Sequence, residues 1–143
     1  MSTNQLQQFF TRQRANEGIV LPLALPDGTP TEHSITIFGI DSDAFRQAEA
    51  DSRRSMLEIV AKGDKAAAEE MIKTEKYRLL ASLIKGWTFD VPLTLEAVSS
   101  FLAEAPQIAD QIDRLASDRR RFFKNGLSSS SPALEPNSVS PSQ

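Results

Sequence analysis

The sequence predicts a mainly α fold: a four-helix domain with an N-terminal β-hairpin and a disordered C-terminal tail. Three features predict it. From Asp41-Ser42-Asp43 to Phe123, apolar residues recur every three or four positions, the period of an amphipathic helix. Before that, Ile19, Leu21, Leu23 and Leu25 share one parity, as do Ile35 and Ile37, with Pro26-Asp27-Gly28 between the two runs. After Ser128 the chain is rich in Ser, Pro and Asn and has little to bury. The expected divisions are an N-terminal arm over 1–17, a hairpin-plus-helix domain over 18–125 and the tail over 126–143.

The arm carries Phe9-Phe10 in a Gln, Arg and Asn-rich setting and reads as a short helix or a loosely held segment. The period-two runs make the hairpin. Pro22 has no amide hydrogen for a ladder, so the first strand belongs at a sheet edge or is interrupted there. A lone hairpin is marginal in water, so this one must lie on the helices or pair with another chain.

Asp41-Ser42-Asp43 supplies side chains that cap free amides, starting a long helix with Phe45, Ala48, Ser52, Met56, Ile59 and Val60 on one stripe. Gly63 ends it and Asp64 caps the next, which is expected to run through Ala68, Met71, Ile72, Leu79, Leu80, Leu83 and Ile84 until Gly86 stops it. The two should form an antiparallel pair. A third helix fits 94–104, with Thr94 as cap and Leu95, Val98, Phe101 and Leu102 as its apolar side. Pro106 forces a fresh start. A fourth helix is expected over 107–123, with Ile108, Ile112, Leu115 and Phe122 inward and Asn125-Gly126 closing it.

A chain of 143 residues, 40% apolar and 24% charged, fits one ordinary globular domain. Its 16 basic and 19 acidic residues give a net charge of −3 and no overall attraction to nucleic acid or anionic membrane. The lack of cysteine excludes disulfides, Cys-ligated zinc and thiol nucleophiles. No window approaches the ~18 apolar residues of a membrane span, and the polar start does not resemble a secretion signal, so a cytosolic protein is expected.

Chemistry finds little to work with. His33 is the only histidine, in parity with Ile35 and Ile37, and its ordinary reading is structural. Asp110, Asp113, Asp118, Glu69 and Glu70 are interspersed with Arg114, Arg119 and Lys73, as on a solvated helix face. No phosphate-binding, dinucleotide-binding or nucleophile-elbow motif occurs, so no enzyme, cofactor or metal site is expected. Arg119-Arg120-Arg121-Phe122-Phe123-Lys124 combines cations with rings, as backbone contact plus base stacking would. A helix C-terminus explains it more simply. Trp87, Phe89, Val91 and Pro92 occupy a turn between helices, where large apolar groups either plug the core or face a partner.

The run Arg78-Leu79-Leu80-Ala81-Ser82-Leu83-Ile84-Lys85-Gly86-Trp87, a short acidic and apolar turn, and Pro92-Leu93-Thr94-Leu95-Glu96-Ala97-Val98 carry a resemblance. With Leu102-Ala103-Glu104-Ala105-Pro106-Gln107-Ile108 and the terminal Phe122-Phe123, the chain resembles the tail assembly chaperones of long-tailed, siphovirus-like bacteriophages over roughly 19–124. Leu93-Thr94 stands where that family's pattern has an aromatic after the proline. The resemblance implies a noncatalytic protein of the host cytoplasm that keeps the tape measure protein soluble, recruits tail tube subunits and is absent from the mature virion.

The expected partner-binding residues are Trp87, Phe89, Val91, Leu93 and Phe101, with Phe122 and Phe123 behind them. Partners are proteins, with no nucleic acid and no membrane, and self-association is left open. A small structural tail or connector protein is the alternative. A nucleic-acid-binding regulator using 119–124 is the second.

Overall fold

The structure, a computed structural model, describes residues 2–128. Two short helices, α1 (Ser2–Gln7) and α2 (Arg12–Glu17), precede a hairpin of β1 (Ile19–Ala24) and β2 (Pro30–Ile37). Two long helices follow, α3 (Asp43–Ala61) and α4 (Lys65–Ala81), then a short strand β3 (Ile84–Trp87) and three helices, α5 (Leu95–Glu104), α6 (Pro106–Ala116) and α7 (Arg119–Ser128). The described chain is therefore mainly helical around one small antiparallel sheet of order β1-β2-β3.

The hairpin forms as its alternation requires, with Ile19, Leu21 and Leu23 buried and the intervening residues exposed. Pro22 lies on the edge strand, where its missing amide hydrogen costs no ladder bond on the open side. Leu25, expected on the buried parity, is exposed because the strand ends at Ala24, and Leu25 instead brackets the turn, its amide N–H donating a hydrogen bond to the Thr29 carbonyl at 2.8 Å. At the other end, Gly18 has φ +86°, and a Cβ there would stand 2.7 Å from the Ile37 carbonyl oxygen. Only glycine accommodates both the conformation and that approach.

The expectation that α4 continues through Leu83 and Ile84 is wrong. It stops at Ala81, Ser82 turns its hydroxyl to the Leu79 carbonyl at 2.6 Å, and 84–87 becomes a strand. The reason is tertiary: β2 has a second edge to satisfy, and β3 fills it with Ile84 opposite Ile37 and Trp87 opposite Ile35. The expected fourth helix is also two. α6 ends where Ser117 back-bonds to the Asp113 carbonyl at 2.9 Å, and Asp118 accepts the Arg120 amide at 3.2 Å to start α7. Nor does Asn125-Gly126 close the last helix, which runs on to Ser128. The tail expected over 126–143 lies, from residue 129, outside the described residues.

The caps at Ser42, Asp64 and Thr94 form as expected, each oxygen accepting the amide three residues on, at 3.2, 3.0 and 3.1 Å. Ser42 is itself buried. The core joins Ile19, Leu21, Leu23, Ile35, Ile37 and Ile84 of the sheet to Leu80 and Leu83, Val98 and Leu102, Ile108 and Ile112, and Phe122. Val60 and Ile72, expected on the packed stripes of α3 and α4, are exposed, because toward the tip the two helices have only each other to pack on.

Asp41 ties the last helix to the start of α3. Its carboxylate accepts two hydrogen bonds from Arg119, at 2.6 and 3.0 Å, and one from Arg46 at 2.9 Å. Hydrogen bonding from Arg119 above all, with Thr11 and Arg46 adding to it, holds the Asp41 carboxyl well below the usual carboxylate range despite partial burial. Beside it, the Ile40 amide donates to the Ala116 carbonyl at 3.1 Å, fixing the α6 terminus.

Candidate partner-binding surface

The Gly-Trp segment becomes a surface because β3 carries it along the edge of β2 and releases it at Thr88. There the Thr88 hydroxyl accepts the Ser34 amide at 2.9 Å and meets His33 Nδ1 at 3.1 Å. The chain then folds back over the indole, whose Nε1–H donates to the Val91 carbonyl at 2.8 Å. That bond satisfies the one polar atom of Trp87 and sets the path of 88–91.

The return brings four rings together. Phe89 stands 5.3 Å from Trp87, 5.4 Å from Phe101 and 4.7 Å from His33 between ring centroids, and Trp87 meets Phe101 edge-on at 6.0 Å. Such edge and tilted contacts are the favoured aromatic geometries. Trp87, Phe89 and Phe101 are half-buried, with one side on the core and the other open. Val91, Leu93 and Leu95 follow on the outside, 52%, 41% and 54% exposed. Thr94 caps α5 between the last two, so the extended backbone of the cap displays both leucines.

Two clefts flank this ledge. One of about 310 Å³ lies between the hairpin turn and the joint of α5 and α6, with Leu23, Leu25, His33, Phe89, Phe101 and Ile108 in its wall and Glu104 and Gln107 among its polar groups. The other, about 380 Å³, opens between the base of the α3–α4 pair and α5, where Ala44, Ala48, Ala81, Leu93, Leu95 and Val98 face Asp51 and Arg78. An apolar ridge between two grooves can take a long apolar side of another polypeptide, with polar groups at hand to orient it.

Five of the seven residues anticipated from the sequence therefore share this region: Trp87, Phe89 and Phe101 in one cluster, with Val91 and Leu93 on its rim. Phe122 and Phe123 do not join it. Phe122 is 5% exposed and belongs to the core, sealed by Ala15 and Gly39. Phe123, 44% exposed, lies beneath the Arg14 guanidinium, 4.8 Å from its ring centroid, in a separate crevice with Phe10. Leu95 and His33 complete the surface and were not anticipated. The only sequence signal for His33 is the parity it shares with Ile35, which sets it on the same side of β2.

His33 meets a threonine hydroxyl and a phenyl ring, and the clamp at Asp41 is closed by two guanidiniums. Among the described residues no three His, Asp or Glu side chains gather as a metal site would need. The basic run at 119–124 is partly spent internally, Arg119 on Asp41 and Arg120 within 3.9 Å of Asp118. No described helix is long and apolar enough to cross a membrane. Comparison with protein-family models, curated proteins and solved structures returns no match.

Proposed function

We propose that this chain is a noncatalytic holding protein, a phage tail assembly chaperone that keeps the tape measure protein soluble and recruits tail tube subunits in the host cytoplasm. The observation that carries the reading is the ledge: Val91, Leu93 and Leu95 exposed in a row beside three half-open rings, with a largely apolar cleft on one side and a mixed polar and apolar cleft on the other. Monomeric proteins leave such contiguous apolar area bare where something else covers it. A tape measure protein presents long apolar helical faces that aggregate when unpaired, and the ledge offers them cover without chemistry. Binding the soluble form of a partner shifts its equilibrium away from aggregation by mass action.

Co-expression tests the proposal. The triple variant Val91→Ser, Leu93→Ser, Leu95→Ser alters exposed side chains, whereas replacing Trp87 or Phe89 also removes core contacts. The wild type is expected to keep the tape measure protein soluble and the folded triple variant to fail. Equal solubility with both rejects the ledge as the holding surface.

Among the described residues no strand pairs with the outer edge of β1, and Val20 is exposed beside it, which favours a second reading, a structural tail or connector protein of the virion that adds a strand there. Mass spectrometry of purified particles separates the two, since a chaperone is absent from finished virions.

A further inference from the structure

The α3–α4 pair has a second apolar face, independent of the ledge. α3 runs 19 residues with no buried side chain, and α4 runs 17 with Leu80, near its base, alone enclosed. Toward the tip, Leu57, Val60 and Ile72 are 68%, 59% and 61% exposed. At about 100° per residue, Val60 lies about a fifth of a turn and Leu57 more than a third of a turn beyond the centre of the stripe of Ser52, Met56 and Ile59 that meets α4. Ile72 lies a quarter turn beyond Met71 in the same rotational sense. Because the two helices run antiparallel, offsets of one sense place all three on one side of the pair.

Charge is sorted along with them. The same offset gathers Arg53, Lys65 and Lys76, all exposed, with Glu69 beside them and Glu49, paired with Arg46, toward the base. Asp51, Glu58 and Glu70 rotate to the opposite side, where Asp51 pairs with Arg54 at 3.2 Å and lines the cleft next to α5 together with Arg78. The outcome is an apolar strip with a cationic rim on the side turned away from α5. A second copy presenting this same face would set cation against cation, and a basic partner would be repelled likewise.

We propose that this face docks an amphipathic helix of another chain, one whose apolar side meets Leu57, Val60 and Ile72 and whose flanks are acidic. The strip is two helices wide and, over 65–76 at ~1.5 Å per residue, about 18 Å long. That is a flat area of roughly 350 Å² per partner, below the range of stable specific interfaces, so the complex is weak and salt-dependent.

Two synthetic helices of about 20 residues, with one shared Leu and Ala stripe but Glu flanks in one and Lys flanks in the other, test it when titrated into the full-length, isotope-labelled protein. The Glu-flanked peptide is expected to shift amide resonances over 53–76 and to bind at least about tenfold more tightly than the Lys-flanked one. Leu57→Ser with Ile72→Ser should cost about tenfold in that affinity with helix content unchanged, and Arg53→Glu with Lys76→Glu should reverse the preference between peptides. Equal binding of both peptides, shifts confined to other residues, or no binding overturns the proposal. So does a protein that sediments as a dimer through this face, or one that ignores both peptides and binds vesicles of anionic lipid.

Discussion

Replacing Asp41 by Ala removes the clamp that seats α7 against the start of α3. Asp41 is 13% exposed, while the guanidiniums of Arg119 and Arg46 are 53% and 52% exposed. Hydrogen bonds to charged groups contribute ~1.5–3 kcal/mol each when shielded, and exposed ion pairs ~0.2–1 kcal/mol. With the cationic side of all three bonds half in water, about 0.7 kcal/mol apiece is appropriate, or about 2 kcal/mol for the clamp. For a domain of this size that lowers the melting temperature by about 8 °C. Thermal unfolding followed by circular dichroism at pH 7 measures it. The sign with pH follows from the depressed carboxyl: its stabilisation is fully present above the unfolded pKa of ~3.9 and is lost as pH falls through the lower folded value. The gap between wild type and variant should therefore persist at pH 4 and close below it. No gap at pH 7, or one already gone at pH 5, refutes the reasoning.

Further expectations follow from packing and backbone geometry, each read by urea denaturation. Gly18→Ala forces a side chain into positive φ and against the Ile37 carbonyl, and should cost about 2–3 kcal/mol. Gly28→Ala, at φ +93° but with open space around it, should cost about 1 kcal/mol. Leu102→Ala empties a site with no exposed surface and should lose about 3 kcal/mol. Ser42→Ala removes the oxygen that accepts the Phe45 amide and should lose about 1 kcal/mol, and an unchanged midpoint would show that the α3 cap contributes nothing.

Local signals carried the hairpin, the three caps and the restart at Pro106, because turn chemistry and capping act within a few residues. The third strand was not legible. The apolar run from Leu79 to Ile84 suits a helix or a buried strand equally, and the choice is made by the open edge of β2, far away in sequence. The break at Ser117-Asp118 had a local trace, two residues of the capping type, but what holds it is the pairing of Arg119 with Asp41. Within the candidate site, the ring-bearing turn stood out in composition. How far the rings are covered depends on His33 and Thr88 meeting across two strands, and Phe122 is enclosed because Gly39 leaves room for its ring.

Hydrogen exchange of the protein alone and in complex with the tape measure protein tests the holding surface most directly. Amides over 87–101 and around the hairpin turn are expected to gain protection on binding, because the ledge and its two clefts would be covered. Protection confined to other segments, or none in a complex that stays soluble, would contradict the account.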